Sequence, residues 1–146
     1  MLEEFFDFSQ VPKRWALCCL SECDRKEECM RYQVCQYAPE DMTRGYCVLP
    51  TALRKATCPH FLPIEVVRAA VGFRGIFTDV KEKDHASMRA ALANYLGGGG
   101  TYYRYYNGTK LLMPEQQEWI RQLFRHYGYE EEVKFDGFKA AYRLRG

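Results

Sequence analysis

The sequence has no apolar run that approaches the roughly 20 residues of a membrane span. It also lacks an excess of one charge, because 21 Lys and Arg residues are offset by 19 Asp and Glu residues, for a net charge of +2. A strong overall field toward polyanions is therefore not expected. The N-terminal residues are acidic and lack the basic and apolar stretches of a secretory signal peptide. We therefore expect a cytoplasmic protein with no membrane partner.

Signatures of catalysis are scarce as well. The chain has only three histidines, and a Cys–His nucleophile pair needs two side chains that are adjacent in space. Proline separates His60 from Cys58, and the run 130–132 of three glutamates is most simply a solvated turn. No glycine-rich phosphate-binding motif has the required flanking strand and helix. We therefore expect a protein that is not an enzyme.

Cysteine, in contrast, is abundant, with seven residues in the chain. Cys18, Cys23 and Cys29 form a C-x4-C-x5-C pattern, and Cys58 lies in a Cys-Pro-His-Phe unit further along. Thiolates are strong ligands for Zn²⁺ and for iron–sulfur clusters, and a reducing cytosol favours metal binding over disulfides. The pattern predicts a structural Zn²⁺ site at these four cysteines, with an iron–sulfur cluster, disulfides or scattered thiols without any cofactor as the alternatives.

The choice of ligands has alternatives of its own. Cys19 can replace Cys18, which gives C-x3-C-x5-C, and His60 can replace Cys58. Cys35 lies six residues after Cys29 in a segment that is expected to be helical, so the two side chains point about 120° apart. Cys35 is therefore expected to be a small buried hydrophobe.

Hydrophobic periodicity predicts a mainly α fold with one or two very short strands. A Cys-rich N-terminal segment, residues 1–62, is expected to pack on a helical unit, residues 63–146, and one core shared by both is an alternative to two separate cores. Aromatic residues in 1–17 are expected to pack over the core. The predicted helices lie near 26–37, 63–72, 84–96, 101–107 and 114–127.

Local signals refine these boundaries. Asp84 and Thr101 are candidate N-caps for their helices, and Pro114 suits the first turn of the last one. Residues 46–49 are a short strand candidate, and the tail after Val133 is expected to form a strand followed by a short helix.

Several motifs occur together in one bacterial family of unknown function, which the chain resembles over most of its length. They are C-x4-C-x5-C-x-R ending at Arg31, Cys-Pro-x-Phe at 58–61, Thr-Tyr-Tyr-Arg at 101–104 and Pro-Glu-x-Gln at 114–117, after an aromatic and proline-containing N-terminal segment. The resemblance implies no particular activity. It favours Cys18 over Cys19 as a metal ligand.

Residues 85–128 resemble the helix-turn-helix of repressor-type DNA-binding domains. Residues 93–97 resemble the first helix and its turn, residues 101–108 resemble the recognition helix, and the helix that begins at Pro114 resembles the one that packs behind. The resemblance implies a DNA-binding regulatory protein. A homodimer is expected, because a single short helix rarely gives enough specificity alone.

This placement assigns a side to each residue of the recognition helix. Tyr102 and Tyr105 are expected to be buried, whereas Thr101, Tyr103, Arg104 and Tyr106 face outward and Lys110 lies near the nucleic-acid backbone. Arg104 is expected to read guanine or hold a phosphate, and the tyrosines to bond phosphates or stack on bases of DNA or RNA. The same tyrosines also suit a protein–protein contact without nucleic acid.

Overall fold

A computed structural model describes residues 1–144 of the chain. The chain divides into two compact units, of which the first contains Met1–Val66 and resumes at Ala141, and the second is Val67–Ala140. Within the described residues no helix has the length and apolar character needed to cross a membrane.

The first unit has little regular structure. The α-helix α1 (Met30–Cys35) follows a short 3-10 segment at Lys26–Glu28. The helix expected over 26–37 is therefore shorter and interrupted. Cys29 is extended between the two segments because it forms an isolated antiparallel bridge with Pro63.

Apolar side chains from distant parts of the sequence build the core of this unit. Phe6 packs edge-on against Tyr37 and Tyr142, so the N-terminal aromatics contribute to packing as the sequence predicts. The strand expected over 46–49 is reduced to one parallel bridge, between Leu17 and Cys47. The buried members of the core are Leu2, Trp15, Leu17, Met30, Val34, Leu62 and Tyr142.

The second unit contains three helices, α2 (Glu82–Tyr95), α3 (Gly99–Tyr106) and α4 (Pro114–His126). They occupy the three segments predicted to be helical from residue 84 onward, and α2 contacts both α3 and α4. Their caps differ from the prediction, because Lys81 and Gly98 take the N-cap positions expected for Asp84 and Thr101.

Apolar side chains from the three helices and from the segments around them form the core of the second unit. Phe73, which follows the first strand, is fully buried among them. The fully buried side chains of this core are Ala70, Phe73, Met88, Leu92, Leu112 and Ile120.

The helix predicted over 63–72 is wrong, because this segment is a strand, β1 (Val66–Val71). It pairs with β2 (Gly137–Tyr142) in a two-stranded antiparallel sheet, so the tail is a strand where a short helix was expected. The spacing of the apolar residues in this segment is compatible with a helix or a strand, and its valines favour the strand. Residues 1–144 therefore contain four α-helices and one small sheet, and the fold is less dominated by helix than the sequence predicts.

Candidate nucleic-acid interface

Two buried tyrosines hold α3 against the rest of the second unit. Tyr102 is 2% exposed, and its ring packs edge-on against Phe73 with centroids 5.5 Å apart. Tyr105 is also buried, and its hydroxyl accepts a hydrogen bond from Gln116 Nε2 at 3.3 Å. Both side chains point inward as predicted, and together they determine which side of this short helix faces solvent.

The opposite side of α3 presents an aromatic ring and a guanidinium group. Tyr103 is 49% exposed and Arg104 is also exposed. Thr101 and Tyr106 were expected to face outward but are half-buried. The hydroxyl of Tyr106 donates to the backbone oxygen of Arg74 at 3.3 Å, so this ring is partly held by the protein.

Lys110 lies just beyond the helix, where it is half-buried. Its backbone N–H donates to Arg104 O at 3.0 Å, and its ammonium lies 5.3 Å from the centroid of the Tyr105 ring. This loop closes back onto the end of α3, which keeps the positive charges of Lys110 and Arg104 in one region. We define Tyr103, Arg104 and Lys110 as the α3 surface.

Two further arginines border this region, and the sequence reasoning did not select them. Arg89 on α2 donates a hydrogen bond to the hydroxyl of Tyr103. Arg74, which follows β1, donates to Asn107 O at 3.3 Å. Arg74 was missed because its segment was predicted to lie just beyond a helix. Arg89 was missed because its contact with Tyr103 joins two different helices. In the sequence, its only local feature is that it follows His85 by four residues, on the same face of a predicted helix.

The positive groups here are not neutralised by ion pairs. Among residues 1–144 the side chains of Arg74, Arg89 and Arg104 make no salt bridge with a carboxylate. Burial raises the pKa of Tyr102, and the nearby guanidinium of Arg89 partly opposes that rise. Unpaired guanidinium groups beside hydroxyl groups are suited to binding anions.

The four predicted metal ligands lie in the first unit. Cys18, Cys23, Cys29 and Cys58 line one small cavity of about 40 Å³, which we call the thiol cavity. Burial, and to a smaller extent the neighbouring thiols, raises the pKa of Cys18.

The prediction of a Zn²⁺ site, or of an iron–sulfur cluster in its place, is wrong. Within the described residues no group of three or more His, Cys, Asp or Glu side chains is arranged to hold a metal ion. Cys19 is excluded as a substitute ligand because it forms a disulfide with Cys35. Cys35 is thus a bonded cysteine, whereas the sequence reasoning took it for a small buried hydrophobe.

Comparison with known proteins gives one positive result. A sequence model of a protein family matches residues 1–144, which is nearly the whole chain. The chain belongs to DUF6078, a family of unknown function. The expected resemblance to an uncharacterised family is thereby confirmed, and DUF6078 brings no activity with it. No curated protein and no solved structure matches the chain.

Proposed function

We propose that this protein binds nucleic acid through residues 97–110, with the α3 surface as the contact, and that it acts as a regulator rather than as an enzyme. One observation carries the proposal. Arg104 and the ring of Tyr103 project from a helix that Tyr102 and Tyr105 hold in place. A helix anchored on one side and presenting donors on the other is what groove or backbone recognition requires.

The charge around the helix supports nucleic acid over protein as the partner. Arg104 is on α3, and Arg74, Arg89 and Lys110 each contact α3 or the residue that ends it. None of these four cations forms a salt bridge with a carboxylate in the described part of the chain. Tyrosine and arginine are also common in protein contacts, so the absence of a carboxylate partner for these cations, rather than their residue types, favours nucleic acid. Phosphate groups need such unpaired cations.

Binding titrations with random duplex and single-stranded pools test the proposal. Arg104→Ala is expected to weaken binding by about 1–3 kcal/mol if Arg104 reads a base, and to reduce the salt slope by about one if it holds a phosphate. Arg125→Ala is the matched control, since Arg125 is an exposed arginine of the same unit whose charge already pairs with Glu118 at 3.5 Å.

The outcomes separate clearly. Salt-dependent binding that Arg104→Ala weakens and Arg125→Ala leaves unchanged supports the proposal. Failure of both pools to bind, at low as well as at moderate salt, contradicts it. Self-association that Tyr103→Ala abolishes, without any nucleic-acid binding, would instead indicate that the exposed ring serves a protein contact.

A further inference from the structure

A cleft of about 400 Å³ opens beside the α3 surface in the second unit. Its size falls within the usual range of about 300–1,000 Å³ for small-molecule sites, so a single nucleotide is large enough to fill it. Cationic and aromatic side chains alternate around it, and no carboxylate lines it among the described residues. The residues that matter here are Arg74, Phe77, His85, Arg89, Tyr103 and Tyr106.

Two arginines with donors to spare line the cleft, Arg74 and Arg89. The guanidinium of Arg89 lies 5.7 Å from the ring centroids of both Tyr102 and Tyr103 and donates to the hydroxyl of Tyr103. Arg74 uses one guanidinium nitrogen for Asn107 O. Each guanidinium carries five N–H donors, so both can bind a phosphate while these contacts remain.

Asp136 is a carboxylate beside Arg74, and it binds the backbone there. It accepts a hydrogen bond from the backbone N–H of Arg74 at 3.0 Å rather than from the guanidinium. The carboxylate therefore fixes the backbone at Arg74 and leaves the side-chain charge available.

The aromatic side of the cleft offers a surface for a planar base. Tyr103 and Tyr106 meet edge-to-face, with centroids 6.0 Å apart and planes at 78°. Tyr106 is held by Phe73 and by Arg74 O, whereas Tyr103 is half exposed. A base that enters the cleft thus meets a fixed ring and an exposed ring, and stacking on such rings tolerates any base.

We infer that this cleft binds one unstacked nucleotide, with its phosphate on Arg74 and Arg89 and its base against Tyr103. The inference rests on the proposed function and specifies it, because a nucleotide within a duplex is paired and stacked and cannot enter. The protein should therefore prefer single strands to duplexes of the same sequence. A free nucleoside monophosphate has the same chemistry and should compete for the cleft.

The test compares one oligonucleotide sequence as a single strand and as a duplex, with wild-type protein and three variants. Tyr103→Ala is expected to weaken single-strand binding about 5-fold to 100-fold, whereas Tyr103→Phe keeps the stacking surface and most of the affinity. Arg89→Gln, which keeps hydrogen-bonding capacity but removes the charge, should weaken binding to the single strand and to the free nucleotide. The exposure of both residues lets the variants fold, which circular dichroism checks.

Each result has one meaning. A single-strand preference that Tyr103→Ala and Arg89→Gln abolish supports the cleft as the site. Equal binding of single strand and duplex, weakened by Arg104→Ala but not by the cleft variants, overturns the inference and leaves the proposed function standing. No binding of either form and none of the free nucleotide overturns both. Direct binding of the free nucleotide that Arg89→Gln weakens, without binding of either strand, would overturn the proposed function and keep the cleft as a mononucleotide site.

Discussion

At the scale of single residues, Gln117 shows how the second unit satisfies its buried polar groups. Its side chain is on α4 and is 5% exposed. The amide nitrogen donates to Arg68 O and to Leu112 O, each at 3.0 Å. One side chain therefore connects α4 to β1 and to the segment that precedes the helix. Such a group is costly to remove, because its backbone acceptors lose a partner where water does not replace it.

We expect Gln117→Leu to lower the free energy of unfolding by about 1–3 kcal/mol, since it removes both hydrogen bonds at nearly constant volume. Gln122→Leu is the matched control on the same helix, because the Gln122 side chain is exposed and, within residues 1–144, bonds only to Glu118. Its effect should stay within about 0.5 kcal/mol. Urea unfolding of the two variants measures the difference, and equal effects would contradict the role given to Gln117.

Tyr129 gives the unit a dependence on alkaline pH. Its hydroxyl donates to Asp84 Oδ2 at 2.6 Å and accepts from Lys81 N at 3.0 Å. The hydrogen bond to the carboxylate is the main reason that the pKa of Tyr129 is raised above its ordinary value of 10.0. A raised pKa in the folded state means that the stabilisation is fully present below the unfolded-state pKa. It is lost as the pH rises through the higher folded-state value.

Stability should therefore fall between about pH 8 and pH 11, and part of that fall should disappear in Tyr129→Phe. Tyr127→Phe is the control, because it removes a neighbouring hydroxyl whose partner in the described part of the chain is Ser87 Oγ, at 3.1 Å. Denaturant unfolding at the two pH values measures the change. If stability decreases with pH by the same amount in Tyr129→Phe as in the wild-type protein, Tyr129 is excluded as the source of the pH dependence.

At the scale of elements, the turn between α2 and α3 determines where α3 begins. Gly97 N donates to Asn94 O at 3.3 Å, and Gly98 N donates to Ala93 O at 2.8 Å. This is the Schellman pattern of a helix C-terminus, which needs a left-handed residue after the cap. Gly97 supplies it with φ of +98°. The glycine run thus stops α2 and lets α3 start within three residues.

Gly97→Ala is expected to destabilise the protein by about 1–2 kcal/mol, the cost of the left-handed conformation in a residue with a Cβ. The added methyl group meets only ordinary contacts, the nearest at 3.7 Å, so strain of the backbone alone is tested. Gly99→Ala, in the same run but in the first turn of α3 and with no atom near its Cβ position, should be neutral or stabilising. Thermal unfolding of both variants measures the difference. If Gly97→Ala does not destabilise the protein, Gly97 does not have the left-handed conformation that this turn requires.

The helices of the second unit have local signals in the sequence, whereas its first strand does not. The helices α2, α3 and α4 were predictable because glycines and proline mark their ends and their apolar residues repeat at helical spacing. The strand β1 was not, because its partner β2 lies some 70 residues away in the sequence and pairing over that distance leaves no local pattern. The candidate site divides in the same way. Arg104 and Tyr103 follow from the helix, whereas Arg74 and Arg89 meet Tyr103 only in the folded chain.

At the scale of the whole molecule, a net charge of +2 means that affinity for nucleic acid must come from the local placement of cations. If Arg74, Arg89, Arg104 and Lys110 each contact one phosphate of a single strand, the logarithmic salt slope is about −3. A much steeper slope would require contacts outside this region. The proposed contact is therefore small, which is consistent with recognition of a few nucleotides rather than of a long duplex.

The final prediction concerns the redox state of the cysteines in the first unit. The disulfide joins Cys19 and Cys35 across 16 residues and leaves five free thiols. A closed loop of this length is worth about 3 kcal/mol in the chain-entropy account. Reduction should therefore lower the melting temperature of the wild-type protein but not that of the double variant Cys19→Ser, Cys35→Ser.

Alkylation under denaturing conditions, followed by mass spectrometry, counts the thiols directly. Five modified cysteines before reduction and seven after it are expected, with Cys47→Ser as a control that removes one exposed thiol and keeps the disulfide. Seven modified cysteines in protein purified without reductant would show that the bond does not form. The result also bears on the expected cytoplasmic location, because a reducing cytosol opposes structural disulfides. A disulfide that persists in protein taken directly from the cell would argue against that location.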